Sequence, residues 1–295
     1  MTAKRRVGII GVGFMGHGIA KNVLKHGHAL IFFNHPGNQP SEDLLAAGAT
    51  RTDSAAMLAA ESDVIILCVT GSPEVEDAIF RQDGVLTGIK HGAIVLDCTT
   101  ALPASTDKVA KAVLAAGARY LDTAMTRTSK EAEEGRLGLI VGGDRALFDE
   151  VEPLLRCFAE SITHAGPIGS GHKLKLLHNF VSLGLAALLS EAMAAAKSAG
   201  VDPRVFMDVL EKGAGDGVVY RRLKPFIEAG DPSGLRFTIV NALKDISYYN
   251  TMASDIGAYH EIAEAARRTY EVAVKSGHGQ KLVPELIAAL GERKQ

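Results

Sequence analysis

From Val7 to about Ala165, short apolar runs alternate with stretches whose apolar residues recur every three or four positions. The runs Val7–Ile10, Ala29–Phe33, Val64–Val69, Ala93–Leu96, Tyr120–Ala124 and Leu137–Val141 read as strands. Between them, His17–His26 closed by Gly27, Ser41–Ala47 ending at Gly48, Asp53–Ala60 capped by Asp53, and Ser105–Ala116 ending at Gly117 read as helices. Strand–helix alternation of this kind predicts an α/β fold with a doubly wound parallel sheet. After Gly166-Pro167 no strand pattern remains, and helical spacing continues to the end. The reading is therefore two domains, 1–166 and 167–295, the second all-α and joined to the first by a long helix.

That helix is predicted over His172–Ala199, about 40 Å at ~1.5 Å per residue. Leu174, Leu177, Val181, Leu185, Leu188 and Leu189 give it a wide apolar face, which must be covered by its own domain or by a partner subunit. Its most apolar run, Phe180–Leu189, is shorter than the ~18 residues of a spanning helix, so a buried helix is expected. The Pro- and Gly-containing bend from Gly230 to Gly234 reads as a loop inside the second domain.

Composition narrows the class. With 295 residues the chain can bury a substantial core, and 32 Lys+Arg against 34 Asp+Glu imply no general affinity for nucleic acid or membrane. Cys68, Cys98 and Cys157 are widely spaced, an odd count that reads as reduced thiols in a cytoplasmic protein rather than a disulfide framework. Met1–Arg6 is basic but leads into a strand, not into a signal-peptide core. His17, His28, His91, His164, His178 and His260 lack metal-ligand spacing, so no metal is expected.

The first candidate chemistry lies where Val7–Ile10 runs into Gly11-Val12-Gly13-Phe14-Met15-Gly16 and then a helix. Gly11 allows the tight turn, Gly13 lets a pyrophosphate approach the backbone, and Gly16 lets helix and strand pack closely. The free N–H groups of the helix N-terminus then face phosphate. This order points to a nicotinamide dinucleotide. The second strand ends in Asn34-His35-Pro36-Gly37-Asn38, with no carboxylate to hold a ribose 2′-hydroxyl or repel a 2′-phosphate. Asn34, His35 and Asn38 can donate to a phosphate, so NADP (NADPH) is favoured and NAD is possible.

A second constellation is Gly169-x-Gly171-x-x-x-Lys175-x-x-x-Asn179, in which Lys175 and Asn179 fall on one helix face, one turn apart. A lysine on an apolar helix is costly to bury without a task. With the glycine loop, Asp97-Cys98-Thr99-Thr100-Ala101-Leu102-Pro103, Asp122–Thr128, and Phe237 with Lys244-Asp245, it makes the chain resemble the β-hydroxyacid dehydrogenase family over nearly its whole length. That family includes 3-hydroxyisobutyrate dehydrogenase, tartronate semialdehyde reductase and sulfolactaldehyde reductase.

The resemblance implies a Rossmann-like N-terminal domain and a 6-phosphogluconate dehydrogenase-like helical C-terminal domain. It implies Lys175 as general acid/base, with Asn179 orienting the substrate. Thr126, Arg127, Thr128 and Phe237 would contact a small anionic hydroxy acid or semialdehyde. Gly11, Gly13, Phe14, Met15, Gly16, Asn34, His35, Val69, Thr70, Thr100 and Lys244 would contact the cofactor. The implied enzyme is a homodimer or homotetramer with its cleft between the domains.

The third block departs from the family's D-A-P-V-S-G-G: Ala124 replaces proline, and Arg127 and Thr128 replace the two glycines. Arg127 either offers a donor fork to a substrate anion or points outward to Glu131 or Glu133. Lys244 either reaches the cofactor or pairs with Asp245. A tail aspartate of many relatives is absent around Gly277–Lys281. The rival functions are an imine reductase of the same architecture, whose branch characteristically lacks the lysine, and a non-catalytic NADP-binding scaffold.

Overall fold

The computed structural model describes residues 4–291. Among them, β1 (Arg6–Ile10), β2 (Ala29–Phe33), β3 (Thr50–Thr52), β4 (Val64–Leu67), β5 (Ile94–Asp97), β6 (Arg119–Thr126), β7 (Leu137–Gly142) and β8 (Ala159–Gly166) form one sheet. Its order is β3-β2-β1-β4-β5-β6-β7-β8. The interior strands are apolar at successive positions because both faces are covered. Val7, Ile9, Leu30, Phe32, Val64, Ile66, Ile94 and Leu96 point to one core. The intervening Ile10, Ile31, Phe33, Ile65, Leu67 and Val95 point to the other.

The helices between the strands close these cores. Of α1 (Gly16–Lys25), α2 (Glu42–Ala46), α3 (Ala55–Glu61), α4 (Ser72–Phe80), α5 (Val85–Gly88), α6 (Pro103–Ala115), α7 (Ser129–Glu133) and α8 (Arg145–Leu155), α1 and α8 give the first core Ile19, Val23, Phe148 and Val151. Helices α3, α4 and α6 give the second core Leu58, Val75, Ile79, Val109 and Val113.

Three expectations are corrected. The sheet is not wholly parallel, since β6 and β7 run antiparallel with Asp122 opposite Gly142. Strands β3 and β8 are absent from the sequence reading; they are the two sheet edges, where exposed residues such as Thr50 and Arg51 leave no apolar run. Helix α3 is capped by Ser54, whose Oγ accepts from Met57 N at 3.0 Å, and not by Asp53.

By internal packing the chain divides into two compact units, one up to Lys175 and one from Leu176 onward. The second contains most of α9 (Ser170–Ser198), then α10 (Pro203–Lys212), α11 (Val218–Ala229), α12 (Ile239–Asp255), α13 (Glu261–Ala273) and α14 (Leu286–Gly291). Its main core joins Leu183, Leu223, Ile239, Ile246, Tyr270 and Leu286. The buried Tyr270 hydroxyl donates to Leu183 O at 2.8 Å.

Helix α9 also corrects a reading. Its 29 residues make it long and apolar enough to cross a membrane by length and composition, because alanines extend the run Phe180–Leu189. It is buried on one face only. Leu176, Asn179, Leu183, Ala186 and Ala187 are buried, while Leu174, Leu177, Val181, Leu185 and Leu188 form an opposite stripe 41–64 % exposed.

Candidate active site

In the strand order β3-β2-β1-β4 the chain leaves β1 towards β2 on one side and β4 towards β5 on the other, so the strand order reverses between the paired β1 and β4, and the crevice where such sheets bind ligands lies at their carboxyl ends. The glycine loop occupies that corner. Gly11 lies at φ 97°, and a Cβ there would stand 2.2 Å from Cys68 O. A Cβ on Gly16 would stand 1.9 Å from Gly11 O, so strand and helix touch through this residue. At Gly13 a Cβ would meet nothing within 4 Å, leaving the backbone bare to an approaching group. The first turn of α1 carries no capping side chain and no acidic residue; His17 N donates to Gly13 O, and the positive end of the helix is left without a side-chain anion. The corner therefore fits a dinucleotide pyrophosphate. Phe14 is exposed beside it, and Met15 packs against the core beneath.

The loop after β2 is sewn to this corner. Asn38 accepts from Val12 N at 3.1 Å and donates to Phe33 O at 2.9 Å, while Gln39 N donates to Val12 O. Asn38 is thereby occupied in structure. His35 Nδ1 accepts from Gly37 N at 3.0 Å, which leaves its Nε2 as the donor. Asn34 Nδ2 donates to Asp53 Oδ1 at 2.7 Å. Val69 N donates to Thr99 Oγ1, joining the loops after β4 and β5, where Thr70 and Thr100 also lie.

Beneath these loops lies a buried polar network that sequence reasoning missed. Asp97 accepts from Thr99 N and from the Tyr120 hydroxyl. Burial pushes its carboxyl above the ordinary value, against the opposing pull of His172 and these hydrogen bonds. Asp122, fully buried, accepts from Gly169 N at 2.7 Å and His172 N at 2.9 Å. An anion thus holds the N-terminal end of α9. The His172 ring meets Thr106 Oγ1 at 2.7 Å and the Asp97 carbonyl at 3.3 Å. His172 lies three residues before Lys175, so this network fixes the turn that carries the lysine. The available signal was polarity at strand ends followed by Gly-x-Gly-His.

Lys175 is half-buried at the edge of the buried face of α9, and Asn179 follows one turn later, buried. Asn179 Nδ2 donates to Asp245 Oδ2 at 2.6 Å. Asp245 is itself buried, and its Oδ1 lies 2.9 Å from Lys244 Nζ, a contact with ion-pair distance but without hydrogen-bond alignment. Lys244 thus stands at ion-pair distance from Asp245, in a pair that reaches into the protein rather than lying on its surface. Phe237, partly buried, packs against the main helical core.

The third block divides differently from expectation. Thr126 lies over Gly138, where a Cβ would stand 2.2 Å from its Oγ1. Thr128 is the N-cap of α7, its N–H and hydroxyl both donating to Glu131. Arg127 has φ 77°, left-handed backbone that glycine favours. Its guanidinium pairs with Glu160 and donates to Arg136 O, so its outward partner is neither Glu131 nor Glu133. Among the described residues no group of three His, Cys, Asp or Glu is placed to hold a metal ion.

Comparison with known proteins gives the family. Residues 6–166 match the family model described as the NAD binding domain of 6-phosphogluconate dehydrogenase. Residues 169–290 match that described as NAD-binding of NADP-dependent 3-hydroxyisobutyrate dehydrogenase. The chain is 30 % identical to 2-(hydroxymethyl)glutarate dehydrogenase of Eubacterium barkeri, over 79 % of this chain and 78 % of the relative. It is 29 % identical to 3-sulfolactaldehyde reductase of Escherichia coli (strain K12), over 93 % and 92 %. A crystal structure of 3-hydroxyisobutyrate dehydrogenase from Salmonella typhimurium superposes with TM-score 0.83 at 26 % identity, covering 96 % of this chain and 99 % of that one.

Proposed function

The chain belongs to the β-hydroxyacid dehydrogenase family of NAD(P)-dependent oxidoreductases, and on that premise we propose that it interconverts a short β-hydroxy acid and its semialdehyde with Lys175 as general acid/base. The observation that carries the reading is the pairing on α9: a half-buried lysine one turn before an asparagine whose amide is fixed by a buried carboxylate. In reduction the carbonyl carbon gains a hydride and the carbonyl oxygen gains a proton. A nicotinamide dinucleotide held by the glycine corner would supply that hydride. Lys175 Nζ gives the proton, and its charge stabilises the alkoxide as it develops. Neutral Lys175 takes the hydroxyl proton in the oxidative direction. Asn179, its amide held in one orientation by Asp245, positions the substrate's oxygen atoms.

The cofactor is NADP in preference to NAD, with NAD possible, because no carboxylate ends β2. Arg127, held by Glu160, is left out of the proton-transfer step. The three cysteines stand as free thiols, which suits a cytoplasmic setting, and we propose that a second copy of the chain covers the exposed apolar stripe of α9.

The test is NADPH oxidation with succinic, methylmalonate and tartronate semialdehydes, glyoxylate and sulfolactaldehyde, repeated with NADH. Turnover on one of these is expected. Silence across the panel, with NADPH binding verified separately, would refute the reductase reading.

A further inference from the structure

The residue that follows β2 is where folds of this kind place the carboxylate that selects the ribose 2′-hydroxyl, and here it is Asn34. The in-register pairing of β2 with β3 sets Phe33 opposite Thr52, so Asn34 and Asp53 leave the sheet side by side at its carboxyl edge. Asn34 N donates to Thr52 O at 2.8 Å, and its side-chain Nδ2 donates to Asp53 Oδ1 at 2.7 Å. A carboxylate oxygen can only accept, so this contact fixes which end of the Asn34 amide faces which way. Asp53 is free for this task because Ser54 caps α3 in its place.

We propose that Asp53 is a specificity-determining residue for the dinucleotide, limiting how strongly the chain prefers NADP over NAD. The inference rests on the reading of the glycine corner as the dinucleotide site. Two effects act together. With one of its two amide hydrogens held by Asp53, Asn34 is fixed in orientation and its Oδ1 remains an acceptor, which a 2′-hydroxyl can donate to and a 2′-phosphate cannot. The Asp53 charge, one hydrogen bond away, also repels a phosphate dianion and leaves a hydroxyl unaffected. A 2′-phosphate therefore has at most one Asn34 hydrogen to accept from, beside a carboxylate that repels it. The His35 Nε2 donor is untouched by this pair and remains available to the phosphate.

The experiment measures the Kd of NADPH and of NADH for the full chain by quenching or transfer of intrinsic fluorescence, in wild type, Asp53→Asn and Asp53→Ala. Asp53→Ala removes the charge and frees the amide, so the Kd ratio should move toward NADPH by about tenfold. Asp53→Asn removes only the charge and keeps an acceptor for Asn34, so a smaller shift in the same direction is expected. A purely structural role would weaken both nucleotides alike. Equal weakening, or a ratio unchanged in Asp53→Ala, overturns the proposal. Failure of wild type to bind either nucleotide overturns the corner itself and the inference with it, which separates the two failures.

Discussion

The side-chain amide of Asn179 donates a 2.6 Å hydrogen bond to Asp245, and both residues are buried. A hydrogen bond to a buried charge of this kind contributes about 1.5–3 kcal/mol. Replacing Asp245 by alanine leaves the Asn179 amide and the Lys244 ammonium without their shared partner. The expected result is a kcat/KM lower by roughly 10- to 100-fold, with Asp245→Asn, which can still accept from Asn179, intermediate. Steady-state kinetics on both variants checks this, and equal activity in all three proteins would remove Asp245 from substrate positioning.

Two of the loop glycines, Gly13 and Gly16, should separate fold from binding. Gly13→Ala adds a Cβ that meets no protein atom within 4 Å, so Tm should hold while NADPH affinity falls. Gly16→Ala forces a Cβ to 1.9 Å from Gly11 O, so Tm should fall as well. Thermal melts with and without NADPH read both effects. A Gly13→Ala protein that binds NADPH as wild type does would place the pyrophosphate elsewhere.

His17, directly after the loop, bridges α1 to α7 and α2 through Glu133 at 2.9 Å and Asp43 at 3.0 Å. Burial disfavours its charge, but the hydrogen bonds and charges of Glu133 and Asp43 prevail, and its pKa is raised above 6.5. A raised folded-state value means the stabilisation is fully present below the unfolded pKa and is lost as pH rises through the folded one. Wild type should therefore melt above His17→Gln at pH 6, and the gap should close as the solution is made alkaline. A gap that widens with pH would contradict the assignment.

Five apolar side chains on one face of α9 stand 41–64 % exposed, more than a lone helix face is expected to leave in water. Val181→Arg puts a charge in the middle of that stripe. Sedimentation velocity should show an oligomer for wild type and a smaller species for the variant. A monomeric wild type would sink the proposal that a second copy covers the stripe.

Much of this was legible in the sequence where burial was two-sided. β2 spans Ala29–Phe33 as read, and the glycine loop, the long helix and the Lys175/Asn179 spacing follow from periodicity and residue type. Edge strands were not legible, because β3 and β8 expose polar side chains and leave no apolar run. The Asn34–Asp53 contact could not be read either, since it depends on β3 existing and on its register with β2. Asp122 reads in the sequence only as part of the strand Tyr120–Ala124 and the third block, and His172 only as the start of the long helix; that Asp122 holds the first turn of α9 rests on hydrogen bonds between residues 47 and 50 positions apart. Arg127 offered the chemistry of an anion fork, but Glu160, 33 residues away in sequence, takes its guanidinium.

The central claim is that Lys175 moves the proton. Lys175→Met keeps a side chain of similar length on α9 and removes the ammonium. With whichever semialdehyde wild type reduces, kcat should fall by roughly 10²–10⁴-fold while the Kd for NADPH stays within about threefold. Undiminished turnover in Lys175→Met would contradict the account.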